Sequence, residues 1–201
     1  AASIGADSSE IYFTSGATES NNLALRGISA AYGRKRRKIV ISSVEHASVD
    51  ETASALEKNG FEIVRISPRD DGRFYADDFI SACDENTCLV SMMLVNNETG
   101  YIMPVRETFM AVKRSYTEII THCDCVQGYM KLPIKAASLG ADLISLSAHK
   151  IHGVKGVGAI YIKKGVRVIP IVTGGKQEKG IRSGTESVPL IAAFGAAVDK
   201  F

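Results

Sequence analysis

The chain of 201 residues has few cysteines, no long apolar run and almost no excess of one charge sign. Its four cysteines, Cys83, Cys88, Cys123 and Cys125, are too few for a disulfide scaffold of this length and are expected as reduced thiols. The most apolar stretches, Cys88–Val95 and Ile191–Val198, are interrupted by serine or glycine and fall short of the roughly 18 residues that a spanning helix needs. That argues against a membrane protein. The opening AASIGADSSE lacks the basic end and apolar block of a signal peptide, which predicts a cytoplasmic location. What is present, 45% hydrophobic and 23% charged residues, suffices to close a core, and excludes a disordered tail or a collagen-like chain.

The net charge of +2 hides one local feature, the run Arg34-Lys35-Arg36-Arg37-Lys38. Without its five charges the remainder carries −3. No aromatic platform or second basic stripe accompanies it, so a solvated connection from helix to strand is favoured over a nucleic-acid patch. No repeat, low-complexity segment or linker divides residues 10–200, and residues 1–201 read as one domain.

Strand-like apolar runs alternate with amphipathic helical ones. Ile11–Phe13 precedes Ser20–Tyr32, Ile39–Ser42 precedes Ala47–Lys58, and Phe61–Ile66 precedes Ala76–Cys83. The series continues with Leu89–Val95, Val105–Tyr116, Glu118–Thr121, Leu143–Leu146, Ala159–Ile162 and a closing helix near Pro189–Lys200. This alternation predicts an α/β fold of three layers, a mostly parallel sheet with helices on both faces. Ligands in such sheets gather beyond the carboxyl ends of the strands, so polar groups there matter most.

Three such groups stand out. Thr14 to Asn22 is a small, hydroxylated stretch opening a helix, where the amides of Ala17 and Thr18 could seat an anion or simply begin a capped helix. Its spacing matches neither of the common nucleotide-binding glycine loops. His122-Cys123-Asp124-Cys125-Val126-Gln127 follows a strand; three candidate ligands within four residues crowd one metal, so no metal is expected. Asp124 could bind a protonated ring nitrogen or cap a helix. Ser147-Ala148-His149-Lys150 follows another strand and places a lysine beside a buried element. Desolvation there would lower its pKa, as a Schiff-base nucleophile requires.

In combination, the stretches TSGATESNN (14–22), EHASV (45–49), NNETG (96–100), HCDCVQ (122–127), SAHKIHGVKG (147–156) and GGKQEKGIRSGTES (174–187) resemble, in order and spacing, the large domain of a cysteine desulfurase. Those enzymes belong to the class-V aminotransferase superfamily, fold-type-I enzymes that use pyridoxal 5'-phosphate. The resemblance implies that Lys150 holds the cofactor covalently and moves the substrate proton, and that Asp124 pairs with the ring nitrogen. It implies that His46 stacks on the ring, that Gln127 and Asn97 lie near the phenolic oxygen, and that Ala17, Thr18, Ser147 and His149 surround the phosphate. Thr185 is expected to reach the phosphate of a neighbouring copy in a homodimer.

The implied activity converts L-cysteine to L-alanine and passes the sulfur, as a protein persulfide, to an acceptor or scaffold protein for iron–sulfur or thionucleoside assembly. In the family, the attacking cysteine and the arginine that grips the substrate carboxylate follow the region of Thr185. The chain is therefore expected to be a large domain truncated at both ends, without the small C-terminal domain and incomplete for turnover. A selenocysteine lyase or another class-V enzyme would share most of these motifs. A non-catalytic, dimerising scaffold fragment is the alternative of another kind. Cys125, beside Asp124, is a candidate replacement nucleophile, with small-residue packing the competing role.

Overall fold

A computed structural model describes residues 1–200. The order is β1 (Ile11–Thr14), α1 (Ala17–Tyr32), β2 (Lys38–Ser42), α2 (Ala47–Lys58), β3 (Glu62–Ile66), α3 (Ala76–Ala82), β4 (Thr87–Met93), α4 (Val105–Ser115), β5 (Ile120–Asp124), α5 (Ala136–Leu139), β6 (Leu143–Ser147), β7 (Gly158–Ile162) and α6 (Val188–Asp199). The seven strands form one sheet in the order β1-β7-β6-β5-β4-β2-β3. β7 pairs antiparallel with both β1 and β6, while the remaining pairs are parallel, so β7 alone runs against the other six.

Period-two alternation along the strands divides the core. On one face Ile39, Ile41, Leu89, Leu143, Ile160 and Ile162 pack with Leu23, Leu25 and Ile28 of α1 and Val49 and Ala53 of α2. On the other, Val40, Val90, Met92, Ile144, Leu146 and Tyr161 pack with Phe79 of α3 and Phe109 and Val112 of α4. Helix α4 shows why: Val105, Phe109 and Val112 recur at helical spacing on the buried side. Glu107 in its first turn and Lys113 and Arg114 in its last also suit the helix dipole. The expected three layers are present.

The basic run serves the entry to β2. Arg36 donates to the Glu118 carbonyl at 3.1 Å, Arg37 donates to the Asn59 and Gly60 carbonyls at 2.7 and 3.1 Å, and Lys38 pairs with Asp84 at 2.6 Å and Glu62 at 3.2 Å. At the other end of the sheet, Gly158 lets the β1–α1 turn lie against β7. A Cβ there would come within 2.8 Å of the Gly16 backbone and 2.7 Å of the Leu146 carbonyl. Gly16 itself has φ 156°, outside the range side chains favour, and forms the N-cap of α1 with no side chain capping it.

Candidate active site

The carboxyl ends of β1, β2, β4, β5 and β6 surround a cavity of about 530 Å³, within the roughly 300–1,000 Å³ usual for small-molecule sites. Nine of the ten residues singled out from the sequence line it: Ala17 and Thr18 from the start of α1, His46 at the N-cap of α2, Asn97 after β4, Asp124 at the end of β5, Gln127 beyond it, and Ser147, His149 and Lys150 at the end of β6. Thr185 does not join them. It is exposed on the segment before α6 and lines a smaller hollow of about 150 Å³ with Glu178 and Arg182.

The β5 boundary corrects the sequence reading. The strand runs from Ile120 to Asp124, so His122, Cys123 and Asp124 belong to it rather than following it. Polar residues in a central strand survive because each has a partner. His122, fully buried, bonds through Nδ1 to Ser91 Oγ at 2.8 Å and through Nε2 to Ser145 Oγ at 3.0 Å. Burial pushes its pKa down to about 3, so the ring stays neutral and one serine donates while the other accepts. With both nitrogens engaged and the Cys123 and Cys125 thiols packed among the residues of the opposite core, these side chains do not converge on a metal.

Asp124 is the electrostatic centre of the cavity. Its Oδ2 accepts from Asn21 Nδ2 at 2.8 Å and its Oδ1 from the Val126 amide at 3.0 Å. Burial pushes its carboxyl above the ordinary range, against the pull of those two donors. Among the described residues no lysine, arginine or histidine forms an ion pair with it. A buried carboxylate that lines a cavity with only neutral donors suits a ligand bringing a cationic N–H.

Asn21 then donates its second hydrogen to Ser48 Oγ at 2.8 Å, and Ser48 Oγ lies 2.8 Å from His46 Nδ1. Neither Asn21 nor Ser48 was singled out from the sequence. Asn21 had a legible sign: it falls four and seven residues before the buried Leu25 and Ile28 of α1, a polar group on the apolar stripe.

Glu45 was also missed. Its Oε1 accepts from Ser42 Oγ at 2.5 Å and from the Met93 amide at 2.8 Å, while Oε2 is buried without a partner. Burial pushes this carboxyl up to about 8, and the nearby Asp124 adds to the effect. The β4 amide it meets lies 48 residues away, which the local sequence does not announce.

The start of α1 is where the sequence suggests an anion could sit. The uncapped helix start presents Ala17 and Thr18 to the cavity, and Ser147 Oγ lies 2.7 Å from His149 Nδ1 across from them. Lys155 also lines this region. The lysine expectation needs correcting, because Lys150 is exposed: the backbone around Ala148 and Ile151 is buried, but the Lys150 side chain enters the open cavity. Any desolvation of this amine must come from a ligand that fills the space. The residues therefore fit a molecule with an anionic group at one part and a cationic ring nitrogen at another.

All four cysteines are free and buried. Burial pushes the thiols of Cys83 and Cys88 up to about 12 and that of Cys123 well above its ordinary value. Cys125 Sγ donates to Cys123 Sγ at 3.4 Å and is not part of the cavity wall, as a packing role requires.

The family model described as aminotransferase class-V matches residues 1–201. The chain is 43% identical over 196 residues to the mitochondrial cysteine desulfurase of Saccharomyces cerevisiae, covering 96% of this chain and 39% of that protein. It is 44% identical over 199 residues to the cysteine desulfurase IscS of Dictyoglomus turgidum, covering 99% and 50%. Among solved structures, a NifS-like protein superimposes at a TM-score of 0.95 with 40% identity, over 99% of this chain and 55% of that one. SspA in complex with cysteine does so at 0.95 with 37% identity, over 100% and 58%. The chain thus spans about half or less of the length of the curated relatives it matches.

Proposed function

Because this chain belongs to the class-V aminotransferase family, we propose that it is the pyridoxal-phosphate-binding portion of a cysteine desulfurase. The observation that carries the reading is that Lys150 and Asp124, from different strand ends, line one cavity together with an uncapped helix start. Bound there, pyridoxal phosphate supplies an electrophilic carbon for an amine and a protonated ring that draws electrons from the substrate.

The protein's own groups have defined tasks in this proposal. Lys150 Nζ would hold the cofactor and would take the proton from the Cα of L-cysteine. Asp124, as a carboxylate, would accept a charge-assisted hydrogen bond from the ring N–H and so keep the ring nitrogen protonated. His46 would cover one face of the ring, and the amides of Gln127 and Asn97 would hold its phenolic oxygen. The Ala17 and Thr18 N–H groups, with Ser147 and His149, would hold the phosphate. The thiol that receives the sulfur is none of the four described here, since each is buried. L-alanine is the other product, and an acceptor protein takes the sulfur for iron–sulfur or thionucleoside assembly. The exposed position of Thr185, outside this chain's cavity, supports a homodimer in which its hydroxyl serves the neighbouring site.

An absorbance titration with pyridoxal phosphate tests the proposal. The wild-type chain is expected to gain a visible band that Lys150→Ala lacks and Asp124→Asn weakens. A wild-type chain that stays colourless at saturating cofactor contradicts it.

A further inference from the structure

We propose that Asn21 and Ser48 form a one-way hydrogen-bond relay that holds Asp124 as a carboxylate and His46 as the neutral tautomer with its proton on Nε2. The direction follows from donor counting. Asn21 Nδ2 has two hydrogens and two neighbours at 2.8 Å, Asp124 Oδ2 and Ser48 Oγ. Turning the amide over would set its carbonyl oxygen against a carboxylate oxygen, so an ionised Asp124 requires this amide orientation, and the amide hydrogen in turn favours the carboxylate. Asn21 Oδ1 is buried with no partner, so both hydrogen bonds from its amide to Asp124 and Ser48 are made by the donor end.

The next link is constrained in turn. Ser48 Oγ receives a hydrogen from Asn21, so its own hydrogen is available for His46 Nδ1 at 2.8 Å. The Ser48 backbone amide also donates to that nitrogen, at 3.1 Å. With two donors aimed at Nδ1, the ring proton must sit on Nε2. Asn21 is fully buried and Ser48 nearly so. The other ionisable groups lining the same cavity are Glu19, His149, Lys150 and Lys155, Glu45 lies near Asp124 outside it, and none of them forms a hydrogen bond with a member of the relay.

Asn21 and Ser48 are positioning residues, acting on a cofactor only through Asp124 and His46. In that respect the relay rests on the reading above, but its two protonation states are properties of the chain itself. They leave a carboxylate ready for a cationic ring nitrogen and an N–H at His46 Nε2.

Histidine-selective 15N and aspartate-selective 13C NMR of the 201-residue chain without cofactor tests the relay. In the wild type, His46 Nδ1 is expected to be unprotonated and Nε2 protonated at neutral pH. Asn21→Leu is expected to move the Asp124 titration upward by about one pH unit, a tenfold gain in proton affinity. Ser48→Ala should shift the His46 Nδ1 resonance, and Ser48→Thr, which keeps the hydroxyl, should restore it. A protonated Nδ1 in the wild type, or an unmoved Asp124 titration in folded Asn21→Leu, overturns the relay. Should Asn21→Leu fail to fold, identical Nδ1 resonances in Ser48→Ala and wild type overturn it instead. A wild type that shows the expected tautomer yet never colours with pyridoxal phosphate removes the cofactor reading and leaves the relay standing.

Discussion

Glu19 and Arg182, 163 residues apart in sequence, form a two-pronged ion pair at 2.7 and 3.2 Å that ties the first turn of α1 to the segment before α6. Glu19 also accepts from the Ser15 amide at 2.8 Å. Burial works to raise its carboxyl, but the bonds from Arg182 and Ser15 leave it below its ordinary value. One side chain thus fixes both the turn beside the anion seat and the position of the segment carrying Thr185.

Arg182→Ala should release that segment. Three non-glycine residues within it, Lys176, Glu178 and Lys179, already hold left-handed backbone, an arrangement that depends on its anchors. Trypsin cleavage after Lys176 and Lys179 is expected to accelerate, with a stability loss of about 1.5–3 kcal/mol for the lost charged hydrogen bonds. Unchanged cleavage would show that Glu178, bonded to the Phe13 amide at 3.0 Å, suffices as an anchor.

Glu45→Gln should change how stability depends on pH. The folded carboxyl titrates near 8 and the unfolded one near 4.5, so between these values the folded state holds a proton that the unfolded state lacks. That contribution is full below 4.5 and is lost as pH rises through 8, by about 1.4 kcal/mol per pH unit. Urea midpoints at pH 5 and pH 8 are expected to show the variant gaining on the wild type at the higher pH. An equal difference at both would mean that Glu45 is ionised in the fold.

His122→Asn should act with the opposite sign. The folded imidazole stays neutral down to about 3, whereas the unfolded one takes a proton near 6.5, so the stability it provides is lost as pH falls across that window. The deficit of the variant is therefore expected to be largest near pH 7 and to shrink by pH 4.5. A constant deficit would place the charged ring inside the sheet.

Most of the layered fold was legible because strand burial and helix amphipathicity leave opposite periodicities. Ile39–Ser42 became Lys38–Ser42, and Ala47–Lys58 is unchanged. β5, expected at Glu118–Thr121, runs instead from Ile120 to Asp124, because His122 continues the strand with both ring nitrogens partnered in β4 and β6. The four-residue α5 is too short for a periodic signal. At the site, Lys150 and Asp124 were readable as polar residues beside buried strands, but the exposure of Lys150 was not. Glu45 and Ser48 stayed hidden because their partners, Met93 and Asn21, arrive only through the sheet order and the packing of α1 beside α2.

The proposed chemistry needs a single lysine lying where a cofactor held by Asp124 can reach it. Borohydride reduction of the chain loaded with pyridoxal phosphate, followed by peptide mass mapping, tests this directly. One added pyridoxyl phosphate group on the peptide containing Lys150 is expected, and its loss in Lys150→Ala. Label spread over Lys155, Lys176 and other surface lysines, with Lys150 unmodified, would contradict it.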